Sequence, residues 1–134
     1  MFSSENNFYD IAKKDADIYL TPKSKHTHTL IFMHGLGDSA DGFYDFFTEK
    51  NSPAPATMKI VLLTAPIRAV TINAGMKMTS WFDFKNFSVT ENNFNKVIGV
   101  DQANESTERI KKVINEEIAV LGGDSKKIFV GGFS

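Results

Sequence analysis

Thr29-Leu30-Ile31-Phe32-Met33-His34-Gly35-Leu36-Gly37 decides the fold of this chain. Leu30 to Met33 is apolar without interruption, between the polar turn Lys23-Ser24-Lys25-His26 and Gly35. A strand with one wet face alternates apolar and polar side chains. An unbroken short run suits a strand covered on both faces, as in a parallel sheet. Two further segments read the same way: Lys59-Ile60-Val61-Leu62-Leu63-Thr64, and Lys127-Ile128-Phe129-Val130-Gly131.

Helical patterns separate these runs. Ala40 to Glu49 sets Phe43, Phe46 and Phe47 at helical spacing before Asn51-Ser52-Pro53-Ala54-Pro55 ends the element. From Asn95 to Leu121, residues Ala103, Thr107, Ile110, Ile114, Ile118 and Leu121 fall on one predicted face, and Gly122-Gly123 gives the stop. Ala65 to Ser80 carries Pro66, Gly75 and no steady period, and reads as a long ordered loop of the kind that is usually functional. Asp17 to Thr21 reads as a short strand closed by Pro22, and residues 1–15 as a polar, loosely held arm ahead of a domain over residues 16–134. Strand, helix, strand, loop, helix, strand is the rhythm of a doubly wound, mostly parallel α/β sheet.

Composition narrows the function classes. The 134 residues are 42% hydrophobic and 23% charged, an ordinary globular balance. A formal net charge of −1 and no basic run give no electrostatic reason to expect nucleic acid. Zero cysteines exclude a disulfide framework, a thiolate zinc site and a cysteine nucleophile, and fit a reducing, cytoplasmic setting. No signal-peptide pattern and no transmembrane-length apolar stretch is present, and no cofactor or metal motif stands out.

The chemistry-bearing residues gather where topology sends them. Ligands of open α/β sheets bind at the carboxyl ends of the parallel strands. Three segments meet there: His34 to Ser39, Ala65 to Trp81, and Ser134. Gly131-Gly132-Phe133-Ser134 reads as the first half of a Gly-x-Ser-x-Gly nucleophile elbow, in which a strand turns sharply and lifts a serine hydroxyl out of the backbone. Acyl transfer also needs backbone N–H donors for the oxygen that gains charge. Glycines flanking Leu36 allow the positive φ or the close approach that would aim its N–H into such a site.

Four colinear stretches, Leu30 to Ser39, Thr64 to Asn73, Met76 to Asp83 and Gly131 to Ser134, resemble the acyl-protein thioesterases of the phospholipase/carboxylesterase family over roughly residues 15 to 134. The resemblance implies an α/β-hydrolase fold, cut after the nucleophile-elbow strand, and hydrolysis of fatty-acyl thioesters or oxyesters of a protein or lipid through an acyl-serine. Ser134 matches the nucleophile and Leu36 the oxyanion donor. Ile72, Met76, Met78 and Trp81 match the border of the acyl channel. His34 belongs to the oxyanion-loop motif rather than serving as base, and His26 and His28 read as solvent-side turn residues. Asp83 is a tempting orienting acid, but in α/β-hydrolases the acid and histidine follow the serine. The 134 residues alone are therefore expected to be inactive, with an apolar strand edge at Ile128-Phe129-Val130 that favours aggregation or a complementing polypeptide for the C-terminal half. The competing expectation is a non-catalytic remnant that docks a partner through that edge.

Overall fold

The computed structural model describes residues 6–134. Its centre is a five-stranded mixed sheet in the order β1-β2-β4-β3-β7, formed by β1 (Tyr9–Lys14), β2 (Asp17–Pro22), β3 (His28–Met33), β4 (Met58–Leu63) and β7 (Ile128–Gly132). β3 runs parallel to both neighbours, with Ile31 opposite Val61 of β4 and Val130 of β7. β2 is antiparallel to β4 and to β1. The uncharged interior of β3 and β4 is explained by cover on both sides.

Successive side chains of a strand point to opposite faces, and here each face has its own helix. On one side Leu20, Ile60 and Leu62 pack with Tyr44 and Phe47 of α1 (Asp41–Thr48), with Leu30 and Phe32 against them. On the other, Tyr19, Ile31, Val61 and Leu63 pack with Val113 of α3 (Val100–Val120). This is the doubly wound arrangement the sequence predicts.

Three expectations need correction. The polar arm is ordered over Tyr9–Lys14, which pairs residue for residue with β2 through a turn in which Asp15 takes a φ of 54°. Its side chains are mostly exposed, so the strand leaves no apolar alternation to read. Residues 1–5 of the proposed arm lie outside the described residues. The Ala65 to Ser80 loop contains an antiparallel hairpin, β5 (Ile67–Val70) with β6 (Met76–Thr79), closed by a 3-10 turn and by Ala74 and Gly75 at positive φ. Strands of four residues carrying Arg68 and Lys77 are too short and too charged to display a period.

The long helix differs in extent and in the make-up of its covered side. A separate turn, α2 (Phe94–Val97), precedes it, and Gly99 marks the break. Its covered side is centred on Val113 and Glu117, while Thr107 of the predicted stripe is exposed. Ile110 and Ile114 of the stripe pack on the core, and polar side chains widen the covered side: Glu117 accepts from Lys59 Nζ (2.9 Å) and from the Thr29 hydroxyl (3.1 Å), and Arg109 reaches the Thr64 carbonyl (2.8 Å) and Asp17 (2.5 Å). The glycine stop holds: Gly122 and Gly123 adopt φ of 77° and 91°, and the Gly123 N–H donates to the Ile118 carbonyl at 2.8 Å.

β7 lies at the margin of the sheet with β3 as its one strand partner among the described residues. Phe129 and Val130 are 49% and 51% exposed there.

Candidate active site

Parallel neighbours deliver their following loops side by side. Met33 pairs with Gly132 at the ends of β3 and β7, and the Phe133 N–H donates to the Met33 carbonyl at 3.1 Å. Ser134 consequently lies against the glycine loop: a Cβ placed on Gly35 would stand 2.9 Å from Ser134 Cβ and 3.0 Å from the Phe133 carbonyl oxygen. A side chain at 35 would have to displace Ser134. Ser134 itself has a φ of 69°, a left-handed conformation that costs a non-glycine residue about 1–2 kcal/mol. Strain of this kind is the backbone signature of a nucleophile elbow.

The two glycines flanking Leu36 do different work. Gly35 provides the close approach, and Gly37 the turn, at a φ of 79° with its N–H on the Thr79 carbonyl (2.9 Å). The Asp38 N–H returns to the Gly35 carbonyl (3.2 Å), and the Thr79 hydroxyl donates to the Asp38 carbonyl (2.7 Å). The loop is thus sewn to β6. Among the described residues no acceptor takes the Leu36 N–H, while both following amides are committed.

His34 is buried (3% exposed). Its Nε2 accepts the Ala65 N–H at 2.9 Å and its Nδ1 lies 2.6 Å from the Gly35 carbonyl. A backbone N–H can only donate and a carbonyl only accept, so the ring is the neutral Nδ1–H tautomer with no lone pair left for Ser134. His26 and His28, expected on the solvent side, are half-buried at the other end of β3, where His26 Nε2 meets the Thr29 hydroxyl at 2.8 Å. Burial pushes the His26 imidazole below its ordinary range, and the Lys59 ammonium adds to this.

Beside Ser134 opens a cavity of about 600 Å³. Leu36, Trp81 and Ser134 line it together with an aromatic wall, Phe82, Phe84 and Phe87, closed by Val89 and Ile98. Trp81 is fixed there by its indole N–H on the His34 carbonyl (2.8 Å), by stacking near the His34 ring (5.3 Å), and by the Ser106 hydroxyl on its own carbonyl. The other three channel residues of the sequence reading do not line the cavity. Ile72 sits in the 3-10 turn with its N–H on the Phe84 carbonyl, Met76 is 65% exposed on β6, and the Met78 sulfur accepts from Asn73 and faces Gly37. Folding the presumed loop into a hairpin carries them off the cavity lining.

The wall is what sequence reasoning missed. Its signal was the aromatic density of Trp81-Phe82-Asp83-Phe84-Lys85-Asn86-Phe87, a stretch with no helical or strand period. Asp83, tempting as a triad acid, is instead the stitch of that wall. Its carboxylate accepts the Thr71 N–H (2.7 Å) and hydroxyl (2.6 Å), its own N–H donates to Gln102 Oε1 (2.6 Å), and its carbonyl accepts the Gly99 N–H (2.7 Å). Desolvation would raise its pKa, but the Thr71 hydrogen bonds, with the Phe84 amide and the Lys85 charge, outweigh it and hold the carboxyl below its usual range.

Comparison with known proteins agrees with this geometry. The family model described as Phospholipase/Carboxylesterase matches residues 16–134. Acyl-protein thioesterase 1 homolog 1 of Dictyostelium discoideum is 36% identical over 109 residues, 81% of this chain and 46% of that protein. Acyl-protein thioesterase 1 of Yarrowia lipolytica is 35% identical over 119 residues, covering 87% and 50%. Among solved structures, Arabidopsis thaliana SOBER1 superposes with a TM-score of 0.67 at 27% identity, over 80% of this chain and 49% of that one. Zea mays acyl-protein thioesterase 2, at 24% identity and a TM-score of 0.60 over 88% and 46%, shares the fold. The chain thus spans about half the length of the curated relatives it matches. No helix among the described residues is long and apolar enough to cross a membrane. With a doubly wound sheet, a strained serine after its third parallel strand and a family match over residues 16–134, the chain belongs to the phospholipase/carboxylesterase family of α/β-hydrolases.

Proposed function

We propose that Ser134 is the nucleophile of a hydrolase that cleaves fatty-acyl thioesters or oxyesters, with acylated proteins as the substrate class suggested by the relatives' names. The observation that carries the reading is the seat of Ser134: a positive-φ serine pressed against Gly35 at the mouth of an apolar cavity. Ser134 Oγ attacks the acyl carbon, its proton passes to a base, and the carbonyl oxygen becomes an oxyanion held by the Leu36 N–H. Collapse expels the thiol or alcohol, which takes the proton, and water then frees the acid from the acyl-serine. The acyl chain lies against Trp81 and the aromatic wall. His34 has no lone pair to spare, so it is not the base that takes the Ser134 proton.

A fluorophosphonate probe on the complete gene product tests this: adduct mass should map to Ser134 and vanish in S134A. Labelling that persists in S134A sinks the reading. A second reading, a non-catalytic module that binds a polypeptide along β7, draws on the half-exposed Phe129 and Val130. Strand addition to β7 by an added polypeptide, with no probe labelling of the complete gene product, would favour it.

A further inference from the structure

We infer that His34 is a positioning residue that aims the oxyanion donor through the Gly35–Leu36 peptide unit, an inference that rests on the reading of Leu36 given above. In a trans peptide the carbonyl of one residue and the N–H of the next point in opposite directions and turn together as a rigid plane. No peptide bond among the described residues is cis. Whatever holds the Gly35 carbonyl therefore sets the direction of the Leu36 N–H. Two donors hold it: His34 Nδ1–H at 2.6 Å and the Asp38 N–H at 3.2 Å.

That plane needs holding because Gly35 has no side chain to restrict it, and a glycine peptide rotates more freely than any other. The imidazole cannot drift either. Ala65 N–H at Nε2 fixes which nitrogen carries the proton, and Ala65 is buried two residues past the end of β4, so the anchor is tied closely to the sheet. The sequence of contacts runs from sheet to Ala65 amide, to imidazole, to Gly35 carbonyl, to Leu36 N–H. Donors pre-aimed in this way need no reorganisation when charge develops on the substrate oxygen.

The two bonds of His34 can be separated by substitution. Asn places an amide N–H where Nδ1–H stands, keeping the Gly35 bond and losing the one from Ala65. Gln places a carbonyl oxygen where Nε2 stands, keeping Ala65 and losing Gly35. On the complete gene product, with p-nitrophenyl octanoate as probe, H34Q should lower kcat on the order of 100-fold at unchanged KM, while H34N stays within about tenfold of the parent. A long-range 1H–15N spectrum of the unsubstituted protein, which depends on no variant folding, should show the Nδ1–H tautomer at His34. Equal kcat losses in H34N and H34Q, or an Nε2–H tautomer, overturn the proposal while S134A remains inert. Turnover that survives in S134A instead overturns the reading of the site on which it rests.

Discussion

The two faces of the sheet are covered by different chemistry. Under α1 the contact is aromatic and aliphatic: Phe32 meets Phe43 at 4.7 Å and Phe47 at 5.2 Å between ring centroids, over Leu20, Ile60 and Leu62. Under α3 a modest apolar patch around Val113 is framed by polar ties. Glu117 lies under it, 4% exposed, joined to Lys59 and Thr29, with Arg109, Ser106 and Gln102 fastening the same helix to Thr64, Trp81 and Asp83. A helix held by burial alone has its face set by its apolar stripe. One held in part by directed hydrogen bonds can bury polar residues beside that stripe, as α3 does with Glu117 while Ile110 and Ile114 still pack on the core.

If that contrast is right, removing a charge should injure the α3 face most. E117A leaves Lys59, whose side chain is 12% exposed, without its counter-ion, and should cost about 4 kcal/mol in urea denaturation. Replacing both by methionine should recover most of it, because the loss comes from the stranded charge rather than from the pair. F47A on the α1 face should cost about 3 kcal/mol by the same measurement, from lost burial and the cavity left behind. V113A, the apolar counterpart on the α3 face, should cost only about 2 kcal/mol. A larger loss for V113A than for E117A would break the comparison and make both faces alike.

The smallest effect is a pH dependence. Burial lowers the His26 imidazole pKa in the folded state, so the contribution of its neutral form is complete above the ordinary imidazole pKa near 6.5. It fades as pH falls through the folded value, since the unfolded chain then binds the proton more readily. Stability of the parent should decline on acidification below that point, and the decline should be shallower in H26N. Identical slopes would remove His26 from the polar face.

What could be read beforehand follows the same division. β3, β4 and the α1 segment are legible because apolar burial writes unbroken runs into Leu30 to Met33 and Ile60 to Leu63 and a helical spacing into Phe43, Phe46 and Phe47. The face of α3 is legible in part: Ile110 and Ile114 of the predicted stripe pack on the core, whereas the buried Glu117 and the ties of Arg109 carry no apolar signal. β1 and the β5-β6 hairpin escape detection for lack of buried alternation. Of the cavity lining, Ser134 and Leu36 are visible through their glycines, and their roles belong to the proposal above. The wall from Phe82 to Val89 is not, because it is positioned by Asp83 through backbone groups that carry no sequence signal.

The left-handed backbone of Ser134 sets what survival demands of that position against what it demands of the fold. Glycine enters that conformation without penalty, so a library screened for heat resistance alone should drift toward S134G as it gains melting temperature, and on the role proposed for Ser134 it should lose turnover with it.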